Sequence, residues 1–413
     1  MPATGPPGVL RVALADFRWP LDPALAAGRD ETTLARALYA TPLRLDPATG
    51  AVRSGLCSGW SASADFRIWK FTCRSAPSIA AALRRVGRLH DASLHWLFAD
   101  AEMSAPAQSR LVVRLPFAWR RFPYVLTAVA TAPRFVAGPF RLVSGSRNRV
   151  VLRREDLTLI FRRLSSRAAV REFHRGSIDE APVPLGDIAA SKADPALARA
   201  VHVRTLLGLD IVFLRRPAAE VRRVYWETAN RADYEELVPE IDGSSAYGFL
   251  GGEKAKPARF RRALNAIKSL PRVQVRIGVP PDPALRYAAR LLYADWRDVG
   301  LGPQLVGEPA RSSDGSFRRL VAAYPQQEAI PVELVLRYGI PARARVLRAL
   351  AATQQNVELR RFDEELRANA FAVPIAWVVD ARLVSPRLEG WREDALGNVD
   401  YAEVRPRASS RRP

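Results

Sequence analysis

The side chains that could hold a metal or carry a reaction are few. The 413 residues include four histidines, His90, His95, His174 and His202, and two cysteines, Cys57 and Cys73. His90 and His95 flank Asp91 and invite a metal-pair reading. Five helical residues turn through about 500°, however, so the two rings would leave different sides of a helix. No metal site is expected there. Asp363-Glu364-Glu365 is the densest acidic run, beside Arg360, Arg361 and Arg367. Acid–base catalysis needs two carboxylates converging across a cleft with separated pKa values. Contiguous acids on one helix diverge instead, and a solvated face with ion pairs three or four residues apart is the better reading. None of G-x-S-x-G, H-E-x-x-H, G-x-x-x-x-G-K-[ST] or G-x-G-x-x-G occurs. The expectation is a protein that is not an enzyme and carries no cofactor.

Cys57 and Cys73 lie in two strand-like stretches, Ser54–Trp60 and Phe66–Arg74, joined by a turn at Ser61–Asp65. Antiparallel pairing would bring them near disulfide reach; two buried free thiols are the alternative. A disulfide would imply an oxidising compartment. Of the nine tryptophans most sit at core-like spacings.

These residues must be positioned by a chain long enough for about two or three domains. It is 48% hydrophobic and 25% charged, which excludes a disordered tail, a fibre or a small disulfide scaffold. No run of 18 apolar residues reads as a transmembrane helix. The net charge is +21, and only five of the 63 basic residues are lysine, so 58 are arginine. A basic field attracts anionic ligands, lipid head groups or nucleic acid. The arginines are spread over the whole length, so a dedicated nucleic-acid site is not expected. Residues Met1–Gly8 show neither a basic start nor an apolar segment of signal-peptide length, so either the protein is cytoplasmic or an export signal lies outside this chain. Strand patterns are expected at Val9–Leu14, Arg110–Leu115, Phe140–Ser144, Val150–Arg153, Leu157–Arg163, Val201–Thr205 and Leu209–Leu214. Helices are expected at Ser78–Arg88, Ala92–Phe98, Tyr124–Ala130, Ser166–Arg175, Ala219–Asn230, Tyr234–Leu237 and Pro257–Ser269. Gly243–Gly252 reads as a loop. Strand Arg272–Val279, a helix opened by Pro281-Asp282-Pro283 and capped by Gly300, and strand Pro303–Gly307 form a β-α-β unit. A last helix over Ala342–Asn369 precedes a strand at Pro374–Asp380.

The order of short segments resembles the extracellular solute-binding proteins, family 5, of peptide-, nickel- and opine-type ABC importers. The opening strand Leu10–Leu14 with Leu21-Asp22-Pro23 is similar to the family's first strand and "LDP". Leu38–Leu43, Leu45–Gly50 and Gly55–Trp60 resemble "lyegLl", "dp.tG" and "pgLAesW". Further on, Gly138–Leu142, Phe173–Asp179, the helix Val221–Arg231 ("vRqAinyAiDR") and Val384–Trp391 follow in the family's order. Two departures stand out. The "FHDG" element is missing, because Arg74 runs directly into Ser75-Ala76-Pro77. The Asp of the "W..DypdP" loop, which in peptide binders of the family holds the ligand's α-amine, has no counterpart in Ala322–Pro331, where Glu328 is the only acid.

The resemblance implies an α/β fold of the periplasmic-binding-protein type, a large three-lobed clamshell (type II) with mixed sheets and flanking helices. One discontinuous lobe would comprise 1–45, 132–215 and 385–413, a small inserted lobe 46–131, and a third lobe 216–384. A small ligand (oligopeptide, sugar or organic anion) would be captured by hinge closure and delivered to a membrane permease. The chain would be a periplasmic or extracellular monomer. By family position, Tyr39, Tyr225, Trp226, Asn230, Tyr324, Gln326, Gln327 and Glu328 are the expected ligand contacts, Trp226 through stacking. Loss of the amine-anchoring Asp favours a neutral or acidic ligand, since an unpaired ammonium is costly to desolvate, whereas amides and a phenol serve hydroxyl and carbonyl groups. The alternative is a non-transport descendant of the fold, a scaffold or regulator binding anionic lipid, glycan or protein.

Overall fold

The computed structural model describes residues 8–130, 138–155, 157–235, 244–252, 254, 256–270, 274–308 and 313–407. The chain divides into two compact units: Met1–Arg204 with Ala323–Pro325 and Asp380–Pro413, and Thr205–Ala322 with Gln326–Val379. The strands Val201–Leu214 and Ala372–Val384 run through the division points at Arg204 and Val379.

The first unit is organised on the strand Val9–Leu14. Its inward residues Leu10, Val12 and Leu14 are fully buried, as alternation along a half-covered strand requires. It pairs in parallel with Leu157–Arg163, which pairs antiparallel with Arg149–Arg154, and that strand with the outermost, Arg141–Gly145. On its other side Val12 pairs with Glu180, and Glu180–Pro182 pairs antiparallel with Arg382–Val384. Helix Gly28–Leu38 lays Leu34, Ala35 and Leu38 on this core with Phe17, Phe140 and Phe161. A separate four-stranded sheet, in the order Cys57–Ala62, Ile68–Cys73, Arg110–Arg114, Glu102–Ala107, packs Trp69 and Phe71 against Phe122. Cys57 and Cys73 face each other in its register and are bonded, S–S 2.07 Å, so the free-thiol alternative does not hold.

The second unit contains the expected β-α-β unit. Strands Gln274–Val279 and Gly302–Gly307 are parallel, joined by helix Pro283–Asp298. Asp282 caps that helix, its carboxylate accepting from Leu285 N at 2.9 Å. At the other end Gly300 takes φ +92° while Leu301 N donates to Trp296 O at 2.8 Å, a left-handed cap that a side chain would strain. Gly315–Val321 pairs antiparallel with Gly208–Leu214.

Several expected elements differ. Val201–Thr205 and Leu209–Leu214 are one strand, because Gly208 continues the ladder opposite Val321 instead of turning the chain. The expected Ala342–Asn369 helix is two, Arg343–Ala351 and Gln355–Asn369, since Ala352 leaves the helical region at ψ 142°. Helix Ala329–Leu336 was unexpected; Pro331 lies in its first turn, where a missing N–H costs nothing. The helices at Ala92–Phe98 and Tyr124–Ala130 shrink to His95–Phe98 and Phe122–Val125. Residues 236–237, 243 and 272–273 of other expected elements lie outside the described residues.

Candidate functional site

Two of the expected contacts meet at one cavity in the second unit. Helix Ala219–Thr228 ends where Ala229 turns extended, and the chain then lines a cavity of about 430 Å³, with Trp226, Asn230, Arg231, Lys254, Lys256 and Asp295 on its wall. Asn230 is held in a turn: its Nδ2 donates to Asp233 Oδ1 at 2.8 Å and its Oδ1 accepts from Ala232 N at 3.2 Å. Burial and the neighbouring Asp233 push the Asp295 carboxyl up to about 6, against a hydrogen bond from Asn230. Trp226 is only 2% exposed, packed edge-on to Phe249 at 5.7 Å, with the Arg367 guanidinium 5.8 Å from its ring. Its stacking face is therefore engaged by the protein itself. Tyr225 lies beneath, buried edge-on against Trp296 at 4.8 Å. Arg231 is buried, donating to backbone carbonyls of Pro374, Ala229 and Trp226 at 2.8–3.2 Å. Burial pulls it down to about 10, against the attraction of Tyr247 and Glu227. It ties the end of the helix to the strand Ala372–Val384.

The remaining expected contacts lie elsewhere. Tyr39 lines a second cavity, of 340 Å³, within the first unit, together with Arg36, Arg44, Asp394, Asn398 and Asp400. Its hydroxyl donates to Leu21 O at 3.0 Å, and Arg36 pairs with Asp394 at 2.5 Å. The Tyr324–Glu328 stretch is divided. Tyr324 belongs to the first unit, buried edge-on to Trp119 at 5.3 Å, whereas Gln326, Gln327 and Glu328 belong to the second. Gln327 Nε2 donates to Leu250 O. Glu328 is fully buried at the start of helix Ala329–Leu336, its carbonyl accepting from Val332 N at 2.9 Å.

Two readings of acid and histidine pairs need correction. His90 precedes the helix that begins at His95, so the helical angle does not apply, and the two rings stand 4.4 Å apart. Even so, no group of three or more His, Cys, Asp or Glu among the described residues could hold a metal ion. Asp363 is not on a solvated face. It is buried, accepts from Phe249 N at 2.7 Å, and burial pushes its carboxyl up to about 6. Its neighbour Glu365 does pair outward, with Arg345 at 3.0 Å.

The densest polar arrangement in the first unit was not foreseen. Arg29 lies within 4 Å of four carboxylates: Glu393 at 2.5 Å, Asp380 at 3.2 Å, Glu180 at 3.4 Å and Asp30 at 3.8 Å. Arg382 reaches Asp30 at 3.1 Å, Asp380 at 3.3 Å and Glu180 at 3.7 Å. Tyr401 and Trp391 both donate to Glu180 Oε2, at 2.6 and 2.7 Å. Two guanidiniums face four carboxylates in a buried site: burial raises Asp30, burial and repulsion from Glu393 raise Glu180, and burial with repulsion from Glu393, Asp30 and Glu180 pushes Asp380 up to about 7. The signal was in the sequence: Asp380 and Arg382 interrupt the apolar run Val373–Val384.

Comparison with solved structures places the fold. An oligopeptide-binding protein from Borrelia burgdorferi superposes with TM-score 0.80 at 14% identity, covering 96% of this chain and 99% of its own. OppA of Haemophilus influenzae, solved with the peptide RPPGFSPFR, gives 0.79 at 15%, covering 97% and 99%. The murein tripeptide binding protein MppA of Escherichia coli gives 0.78 at 15%, covering 96% and 98%. No protein-family model and no curated protein matches the sequence. The chain thus has the periplasmic-binding-protein fold of the large solute-binding class, the class the order of its segments pointed to.

Proposed function

We propose that this protein is the solute-binding component of an ABC importer. It works at the periplasmic or extracellular face of the envelope, captures a small ligand reversibly by closing its lobes, and hands it to a membrane permease. The observation that carries this reading is the fold match over 96–97% of the chain to proteins solved as peptide binders. The three-lobed division at 1–45 with 132–215 and 385–413, 46–131 and 216–384 belongs to the same proposal.

The ligand is proposed to be neutral or acidic. A charged amine needs a reachable carboxylate. The one acid of the Ala322–Pro331 stretch, Glu328, is fully buried.

A thermal-shift screen with oligopeptides, glycan fragments and organic anions tests the reading. A true ligand at 100 times its Kd stabilises the folded chain by about 2.7 kcal/mol, independent of its chemistry. Acidic and neutral compounds should shift the melt and amine-bearing dipeptides should not. A well-folded protein indifferent to all three classes would remove the basis for solute capture.

A further inference from the structure

The 430 Å³ cavity of the second unit is a site in its own right. All of its lining residues fall within Thr205–Ala322 and Gln326–Val379, so it is complete inside that unit. Its volume lies in the range of roughly 300–1,000 Å³ typical of small-molecule sites. Three helices build the wall. Glu227 and Asn230 come from the close of Ala219–Thr228 and the turn after it, and Asp295 and Asp298 from the last turn of Pro283–Asp298. Phe260 comes from Pro257–Ile267, and Lys254 and Lys256 from the chain just before that helix.

Part of this wall is used up by the protein and part is not. Arg367 lies over the Trp226 ring and Arg231 over Tyr247. Phe260, the remaining aromatic of the wall, is 38% exposed, and no ring or guanidinium among the described residues covers it. Arg231 and Arg367 spend donors on the backbone carbonyls of Pro374 and Tyr247. Asp295 takes a hydrogen bond from Asn230, but no protein group donates to its Oδ2, so the carboxylate has accepting capacity to spare. Of the three acids only Glu227 has a cation within 4 Å among the described residues, Arg259 at 3.8 Å. Lys254 and Lys256 are exposed.

We infer that this cavity binds a neutral mono- or disaccharide, its hydroxyls on Asp295 and Glu227 and one ring face on Phe260. Four basic side chains and three acids share the wall, so an ion of either sign meets repulsion from one set. A metal ion is no better served, since no group of three or more His, Cys, Asp or Glu among the described residues could hold one. A hydroxyl donates to a carboxylate and accepts from an ammonium, and it brings no charge to desolvate. The C–H face of a pyranose covers a bare phenyl ring, which a water molecule filling the cavity would leave wet. The inference stands whether or not the chain captures a solute by closing its lobes.

Saturation-transfer NMR titrations with glucose, N-acetylglucosamine, maltose and cellobiose test it. At least one of these sugars should bind saturably. D295N, which removes the charge of the main acceptor, should weaken that sugar about tenfold, and F260S roughly fivefold. Y287S changes a side chain that is 52% exposed on the same helix as Asp295 but outside the cavity wall, and should stay within about twofold of wild type. Circular dichroism checks that each variant is folded. Failure of all four sugars to bind the folded protein would overturn the inference. A sugar whose affinity ignores both D295N and F260S would overturn it too, while leaving solute capture standing, because that sugar would sit elsewhere. So would putrescine, gluconate or glycine binding more tightly than every neutral sugar with the same sensitivity to D295N and F260S, since the cavity would then select charge.

Discussion

Replacing Arg29 with Met should cost the first unit about 3–5 kcal/mol of stability, the largest effect of any single substitution outside its apolar core. Arg29 is the shared partner of Asp30, Glu180, Asp380 and Glu393, and its side chain is 8% exposed. Without it Asp30, Glu180 and Asp380 face Arg382 alone, and Glu393 loses its 2.5 Å partner. The cost is the desolvation of the charges left behind. By contrast, Arg18→Met breaks a pair with Glu31 in which the arginine is largely in water, and should cost less than about 1 kcal/mol. Urea unfolding followed by tryptophan fluorescence compares the two. Trp391, hydrogen-bonded to Glu180, reports from inside the cluster. Equal, small losses would show that the cluster is not tightly coupled.

The same cluster makes stability fall as pH rises. Asp380 has a native pKa near 7 against an ordinary value of 3.8. Between about pH 4 and 7 the native state keeps a proton that the unfolded chain has released. Stability is therefore highest at the acid end of that window and declines through it, flattening above pH 7. Raising that carboxyl from 3.8 to about 7 corresponds to a few kcal/mol across the window, on the order of magnitude of one buried ion pair. Asp30, Glu180, Asp295 and Asp363 are raised as well and act in the same direction. His202, lowered by burial, acts oppositely as pH drops below its ordinary 6.5. Asp22 and Glu31 are lowered, so their contribution is lost only on further acidification. Asp380→Asn isolates the effect, because the amide imitates the protonated acid. Its melting temperature should exceed that of wild type at pH 8 and converge with it at pH 4.5. Parallel profiles for the two proteins would refute the assignment.

The elements best legible in the sequence were those set by local pattern. Leu157–Arg163 alternates cleanly and forms that strand; the Asp282 cap and Gly300 bound the long helix as expected. Breaks were harder. Gly208 reads as an interruption yet continues a ladder, and nothing local marks Ala352 as the end of a helix. The site was legible only in part. Trp226 and Asn230 do share a cavity wall, but Trp226 is packed against Phe249, a partner 23 positions on. Spacing could not reveal the Arg29 cluster, because it gathers residues from 29 to 401. It needs a sheet that brings Glu180 between Val12 and Val384.

The central claim, reversible capture of a small solute, is tested most directly by native mass spectrometry of the protein purified from its own host without denaturation. The account predicts one small molecule bound per chain, lost on unfolding, and restoring the original melting temperature when added back to refolded protein. A folded chain that carries no small molecule from its host, and whose melt no candidate solute moves, would contradict it.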